Sequence, residues 1–198
     1  MIRSQSLLRK LVTIGLVLTG ACGDATTESG PTSVNGEVFG RTIAPSSTMW
    51  GVSPIYKFVG TVIRADHHAI KISDFEDTCE PGVEGGITYP GQSLYIDFFV
   101  DAMSADATVS QPGTFGVWLP TINADPSAIP SEPFAVVTYA DPSNGRASVA
   151  QSGTVAVTQL SSERISGSFD VVFNSGALSG TFDSAVLCDP WTDFSAIP

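Results

Sequence analysis

The chain has 198 residues, 42% of them hydrophobic, and its 20 acidic side chains outnumber the 9 basic ones to give a formal net charge of −11. A surface of that sign repels phosphate backbones and anionic lipid headgroups, which argues against nucleic-acid binding and leaves cations and cationic partners open. With 3 cysteines and 2 histidines in all, a zinc site has few ligands to draw on.

The first element is an export signal. Arg3, Arg9 and Lys10 precede the apolar run Leu11 to Gly20 (LVTIGLVLTG), the layout of a secretory n-region and h-region. Ten residues rising about 1.5 Å each cover about half of a roughly 30 Å hydrocarbon core, so the run is too short to span a membrane as a helix. It closes on Leu18-Thr19-Gly20-Ala21-Cys22, which resembles the bacterial lipobox, with Thr19 where that family prefers Leu. The resemblance is confined to the N-terminal segment. It implies cleavage before Cys22, lipidation of the Cys22 sulfur and anchoring in the lipid bilayer by two or three acyl chains, where one chain alone binds only marginally. Gly23 stands where enteric-type sorting uses Asp for inner-membrane retention, which favours the outer membrane. The alternative is an ordinary signal, with Cys22 a free thiol.

Residues 1–21 are thus expected to be a signal peptide, and 22–33 a lipidated N-terminus and flexible linker of small polar residues (DATTESGPTS). Residues 34–198 are expected to form one domain, large enough to bury roughly two-thirds of its extended-chain surface. Loss of the three basic residues of the signal takes the net charge to −14.

Short alternating runs and turn residues follow, with almost no helical periodicity. Strands are predicted at 34–43, 56–64, 69–75, 94–100, 115–119, 134–140 and 146–151, with Ile63 opposite Ile70 across a tight Ala65-Asp66-His67-His68 loop. Leu94, Ile96, Phe98 and Val100 alternate with Tyr95, Asp97, Phe99 and Asp101. Val155 and Val157 start another alternation, but Leu160 has the opposite parity, so a bulge or longer loop must precede Ile165. Near the C-terminus, Ile165 to Asp170 (ISGSFD) and Leu178 to Asp183 (LSGTFD) are near-copies around a turn at Asn174-Ser175-Gly176-Ala177. A loop of Ser175 and Gly176 would set Phe173 opposite Leu178 and Phe169 opposite Phe182. Ile165, Phe169, Val171 and Phe173 would then share a core face with Leu178, Phe182, Val186 and Cys188, while Gly167 and Gly180 mark a bulge or the close approach of a neighbour. The number and spacing of strands predict an all-β antiparallel β-sandwich, with a closed β-barrel as the runner-up.

Cys79 and Cys188 are the cysteines left after Cys22, and in an oxidising compartment such a pair is predicted to form a disulfide. The run from Gln111-Pro112-Gly113-Thr114-Phe115 through Ser152 to Cys188, with its paired S-G-x-F-D segments and terminal cysteine, resembles a group of uncharacterised bacterial lipoproteins. The resemblance implies the fold and the lipid anchor and transfers no activity.

The chemistry-bearing residues are few. His67 and His68 are expected on an exposed hairpin loop, and no G-x-S-x-G elbow accompanies them. No catalytic residue is assigned. Asp74, Glu76, Asp77 and Glu80 crowd one stretch (SDFEDTCEPGVE), which could hold calcium with help from backbone carbonyls or be a solvated acidic loop beside the disulfide. No other cofactor is expected. Tyr95, Asp97, Phe99 and Asp101 would alternate ring and carboxylate along one strand face, an arrangement that suits carbohydrate. The two carboxylates would stand about 13 Å apart along the strand, too far for a glycosidase pair, and the bland alternative is a face covered by a second sheet or loop. Trp50, Trp118 and Trp191 are expected as rim or core aromatics. Three function classes follow: a non-catalytic binding or structural module of the cell envelope, with an envelope protein or carbohydrate as partner; a carbohydrate- or calcium-binding surface protein; and an envelope hydrolase.

Overall fold

The computed structural model describes residues 31–54, 56–58, 61–63, 65–76, 79, 91–101, 104–120 and 128–188. Their strands are β1 (Ser33–Val38), β2 (Ser47–Ser53), β3 (Tyr56–Phe58), β4 (Thr61–Ile63), β5 (His67–Ser73), β6 (Ser93–Phe99), β7 (Gly113–Val117), β8 (Phe134–Asp141), β9 (Arg146–Val149), β10 (Ser152–Leu160), β11 (Ile165–Phe173), β12 (Gly176–Ser184) and β13 (Leu187–Cys188). A 3-10 turn, Pro142–Asn144, joins β8 to β9. No helix among the described residues is long and apolar enough to cross a membrane.

Eleven strands form one sheet in the order β1-β12-β11-β10-β7-β8-β6-β5-β2-β13, with β9 added on β8, and β3 and β4 pair separately. The sheet is mixed, because β7 runs parallel to β8 and β13 parallel to β2. It curls strongly into a half-barrel. Where the sequence points to two stacked antiparallel sheets, eleven of the thirteen described strands share one sheet, which also stops short of a closed barrel. The two ends of the path nonetheless approach each other: Ser184 Oγ of β12 donates to Thr48 O of β2 at 2.8 Å, and Thr48 Oγ1 donates to Thr32 Oγ1, beside β1, at 2.9 Å.

Alternation explains why the curled sheet holds a core. Ile70 and Ile72 of β5, Leu94, Ile96 and Phe98 of β6, Val137 and Tyr139 of β8, Val155 and Val157 of β10, and Phe169 and Phe182 of β11 and β12 all point to the concave, inner face and are buried in one cluster. Phe98 bridges the cavity of the curl, with its ring 5.2 Å from Phe115 and 6.4 Å from Phe182. The anticipated irregularity lies between Val157 and Gln159 of β10, where a bulge bends the strand and sharpens its twist.

The C-terminal hairpin differs from its expectation by two residues. Its loop is Asn174-Ser175, so Phe173 pairs with Gly176, Phe169 with Gly180 and Gly167 with Phe182. Each glycine of the S-G-x-F-D repeat thus lies under the phenylalanine of the other copy: a Cβ on Gly167 would come 2.5 Å from Phe182 Cζ, and one on Gly180 would come 3.0 Å from Phe169 Cζ. Val186, assigned above to the core face, is exposed instead.

Cys79 and Cys188 form the disulfide, spanning 109 residues. Cys188 is buried, but beside Met49 and Ala69 on the convex, outer face of the sheet and not in the main core. In the chain-entropy picture a loop that long is worth up to about 4.7 kcal/mol, and here it fastens the two-residue edge strand β13.

Candidate functional site

The outer face of the central strands carries the polar groups. In register across β2, β5, β6 and β8 lie the rows Ser53-His67-Phe99-Phe134, Gly51-Ala69-Asp97-Val136 and Met49-Lys71-Tyr95-Thr138. This face is covered. Phe99, Phe134 and Val136 pack with Ala65 and Ala107, and Trp118, Ile129 and Val149 lie against them.

His67 and His68 are consecutive residues of β5 and so point to opposite faces, both buried. They are not on the expected exposed loop, since the alternation of Ile70 and Ile72 continues back through them and β4 pairs with β3. On the outer face, the His67 ring stacks on Phe99 with centroids 4.5 Å apart, and Phe99 stacks on Phe134 at 5.0 Å. His67 Nδ1 lies 3.1 Å from Ala65 O, and Nε2 lies 3.1 Å from Asp97 Oδ1. A carbonyl only accepts, so Nδ1 carries a proton, and a second proton lies between Nε2 and the carboxyl group. Burial pushes the Asp97 pKa up, against the hydrogen bond and charge of His67, which draw it down. The pair is a neutral unit built into the strands. Ser53 is the cross-strand neighbour of His67, whose two ring nitrogens lie against Ala65 O and Asp97 Oδ1.

On the inner face, His68 Nδ1 accepts the Val109 N–H at 3.0 Å, and the ring lies 5.7 Å from that of Trp50. Burial, then the adjacent His67, pushes the His68 pKa down to about 4, against the opposing pull of Asp106. Accepting an amide proton at Nδ1 requires the neutral ring with its proton on Nε2.

The ring-and-carboxylate strand is divided among different neighbours. Tyr95 is half-buried, with Lys71 Nζ 5.6 Å from its ring and 5.4 Å from the ring of Phe75. Asp97 binds His67, Phe99 lies inside the aromatic file, and Asp101 is exposed beyond the end of β6. The four do not make one open platform.

Of the acidic stretch, Asp74 is committed to structure. Its Oδ1 accepts the Gln92 N–H at 2.7 Å and its Oδ2 accepts Gln92 Nε2–H at 3.0 Å, while Gln92 also donates to Thr42 O and accepts from Tyr139 Oη. Gly91 allows this approach, because a Cβ there would lie 2.0 Å from Asp74 Oδ1. Burial, then Asp141, pushes the Tyr139 pKa up to about 12. Glu76 is exposed, and Asp77 and Glu80 lie outside the described residues. Among the described residues no three His, Cys, Asp or Glu side chains are grouped to hold a metal.

Trp50 is a core residue and Trp118 stands edge-on to Phe134 at 5.1 Å, whereas Cys22 and Trp191 lie outside the described residues. The His67–Asp97 pair was missed by sequence reasoning, although an aspartate inside the apolar run YIDFFV is the signal that a buried partner must exist. No protein-family model matches the chain, no curated protein matches it, and no solved structure matches its fold.

Proposed function

We propose that this chain is an exported lipoprotein, held in the outer membrane in preference to the inner one through acylated Cys22, and that its β-domain is a non-catalytic binding or structural module of the cell envelope. The observation that carries the non-catalytic part is the engagement of both His67 nitrogens, one by Ala65 O and the other by Asp97. A hydrolase built on that ring would need one nitrogen facing its nucleophile. The anchor rests on the lipobox-like run before Cys22. The first described strand begins at Ser33, and the eleven residues from Cys22 to that point reach up to about 40 Å when extended, enough to hold the domain clear of a bilayer surface.

The test is intact mass and detergent partitioning of the protein taken from its native membrane, compared with Cys22→Ser. The reading expects a chain beginning at residue 22, heavier by two or three acyl chains, whose variant leaves the detergent phase. An unacylated wild-type chain that stays in the aqueous phase would refute the anchor.

A further inference from the structure

Five large aliphatic side chains are exposed among the described residues, and three of them, Val52, Val100 and Leu187, lie by register toward the inner face near one mouth of the half-barrel. Register places them there. Leu187 pairs with Trp50, and Val52 pairs with His68, so Leu187 and Val52 stand on the inner face beside those two rings. Val100 lies two residues beyond Phe98, the cross-strand partner of His68, and so has the same parity. Exposed aliphatic side chains collected in this way mark a binding surface, whereas single scattered ones do not.

Beneath this rim are two N–H donors without an acceptor among the described residues, of which that of Trp50 is fully buried. Trp50 is 3% exposed, and its buried Nε1 meets no acceptor among the described residues. The His68 ring proton is on Nε2, because Nδ1 is taken by the Val109 N–H, and Nε2 likewise meets no acceptor among the described residues. A buried donor left unpaired costs about 1–3 kcal/mol, which an incoming oxygen would recover. Ligand sites commonly combine an apolar lining with a few convergent polar groups, and the mouths of β-barrels are favoured places for them.

We propose that this mouth binds a neutral molecule with an apolar chain and one ester, ketone or ether oxygen. The oxygen accepts from Trp50 Nε1 and His68 Nε2, and the chain lies over Val52 and Leu187. A neutral head fits the chain's net charge of −11, which disfavours an anionic one. The ligand stays at the mouth, since Ile70, Ile96 and Phe98 below it are fully buried in the packed core. Val52 and Leu187 are exposed enough to change rotamer within about nanoseconds and let the oxygen pass. The inference deepens the binding-module reading and is independent of the Cys22 anchor, whose failure would appear in detergent partitioning alone.

The experiment titrates the isotope-labelled full chain with methyl decanoate and follows the tryptophan indole N–H resonances by NMR, with decane as the control that lacks an oxygen. The Trp50 resonance, identified by its loss in Trp50→Phe, is expected to shift downfield and saturate. Decane, and methyl decanoate with Trp50→Phe, are expected to bind about tenfold more weakly, a factor equal to about 1.4 kcal/mol. Val52→Asp changes an exposed position and is expected to abolish binding with the fold retained, so it decides the matter even if Trp50→Phe does not fold. The absence of a saturable shift, equal affinity for ester and alkane, or undiminished binding by Val52→Asp would each overturn the proposal.

Discussion

His67 and Asp97 stand on neighbouring strands with Nε2 and Oδ1 3.1 Å apart, and the other nitrogen of the same ring lies 3.1 Å from Ala65 O. One proton serves the pair, and burial pushes the Asp97 pKa up, which favours the neutral carboxyl form against the opposing pull of His67. Asparagine can replace a protonated carboxyl group there, because its amide N–H also donates to a neutral imidazole nitrogen. Asp97→Asn is therefore expected to cost less than about 1 kcal/mol, and Asp97→Ala about 2–4 kcal/mol, since the latter leaves a buried ring nitrogen unpaired beside a cavity. Urea unfolding of the three proteins checks this, and equal losses for Asn and Ala would show that the pair is ionic.

His68 sets a pH dependence. Its pKa falls from the usual 6.5 to about 4 in the folded protein, so between those values the unfolded chain binds a proton that the folded one refuses. Stability contributed by the neutral ring is complete above about pH 6.5 and is lost as the pH falls toward 4, by roughly 3 kcal/mol at most. His68→Gln keeps an acceptor for the Val109 N–H and removes the titration, so its melting temperature is expected to fall less steeply with acid over that interval. Parallel melting curves at several pH values provide the comparison, and identical slopes would assign the acid sensitivity to another group.

Gly167 of the C-terminal hairpin and Gly116 of β7 supply a packing prediction. A Cβ at position 167 would come 1.9 Å from Ala156 O and 2.5 Å from Phe182 Cζ, whereas at Gly116 of β7 it would meet nothing within 4 Å. Gly167→Ala is expected to cost about 3 kcal/mol or more, through displaced backbone and ring. Gly116→Ala should be neutral or stabilising by up to about 1 kcal/mol, because it restricts the unfolded chain. Denaturant midpoints measured side by side would expose an error if the two substitutions behaved alike.

What the sequence determined by itself was whatever depends on alternation and composition. Leu94, Ile96 and Phe98 face the core because a strand has a period of two, and the parity break between Val157 and Leu160 required the irregularity that β10 shows. Two cysteines left in one domain led to their pairing. The repeated S-G-x-F-D segments identified the hairpin and its buried face.

Only the tertiary structure decided the rest. A shift of two residues in the β11–β12 register leaves every side chain on the same face, so alternation could not distinguish Phe169 opposite Phe182 from the observed Phe169 opposite Gly180. Whether β6 has one buried face or two depends on what packs outside it, which is why Asp97 and Phe99 read as a ligand platform in the sequence and stand inside a covered aromatic file in the fold. β2 (STMWGVS) and the two-residue β13 become strands through partners distant in sequence, one of them parallel. The joining of eleven strands in one curled sheet has the same origin. It depends on pairings such as β7 with β8 and β13 with β2, and long-range pairing of that kind leaves no local periodicity to read.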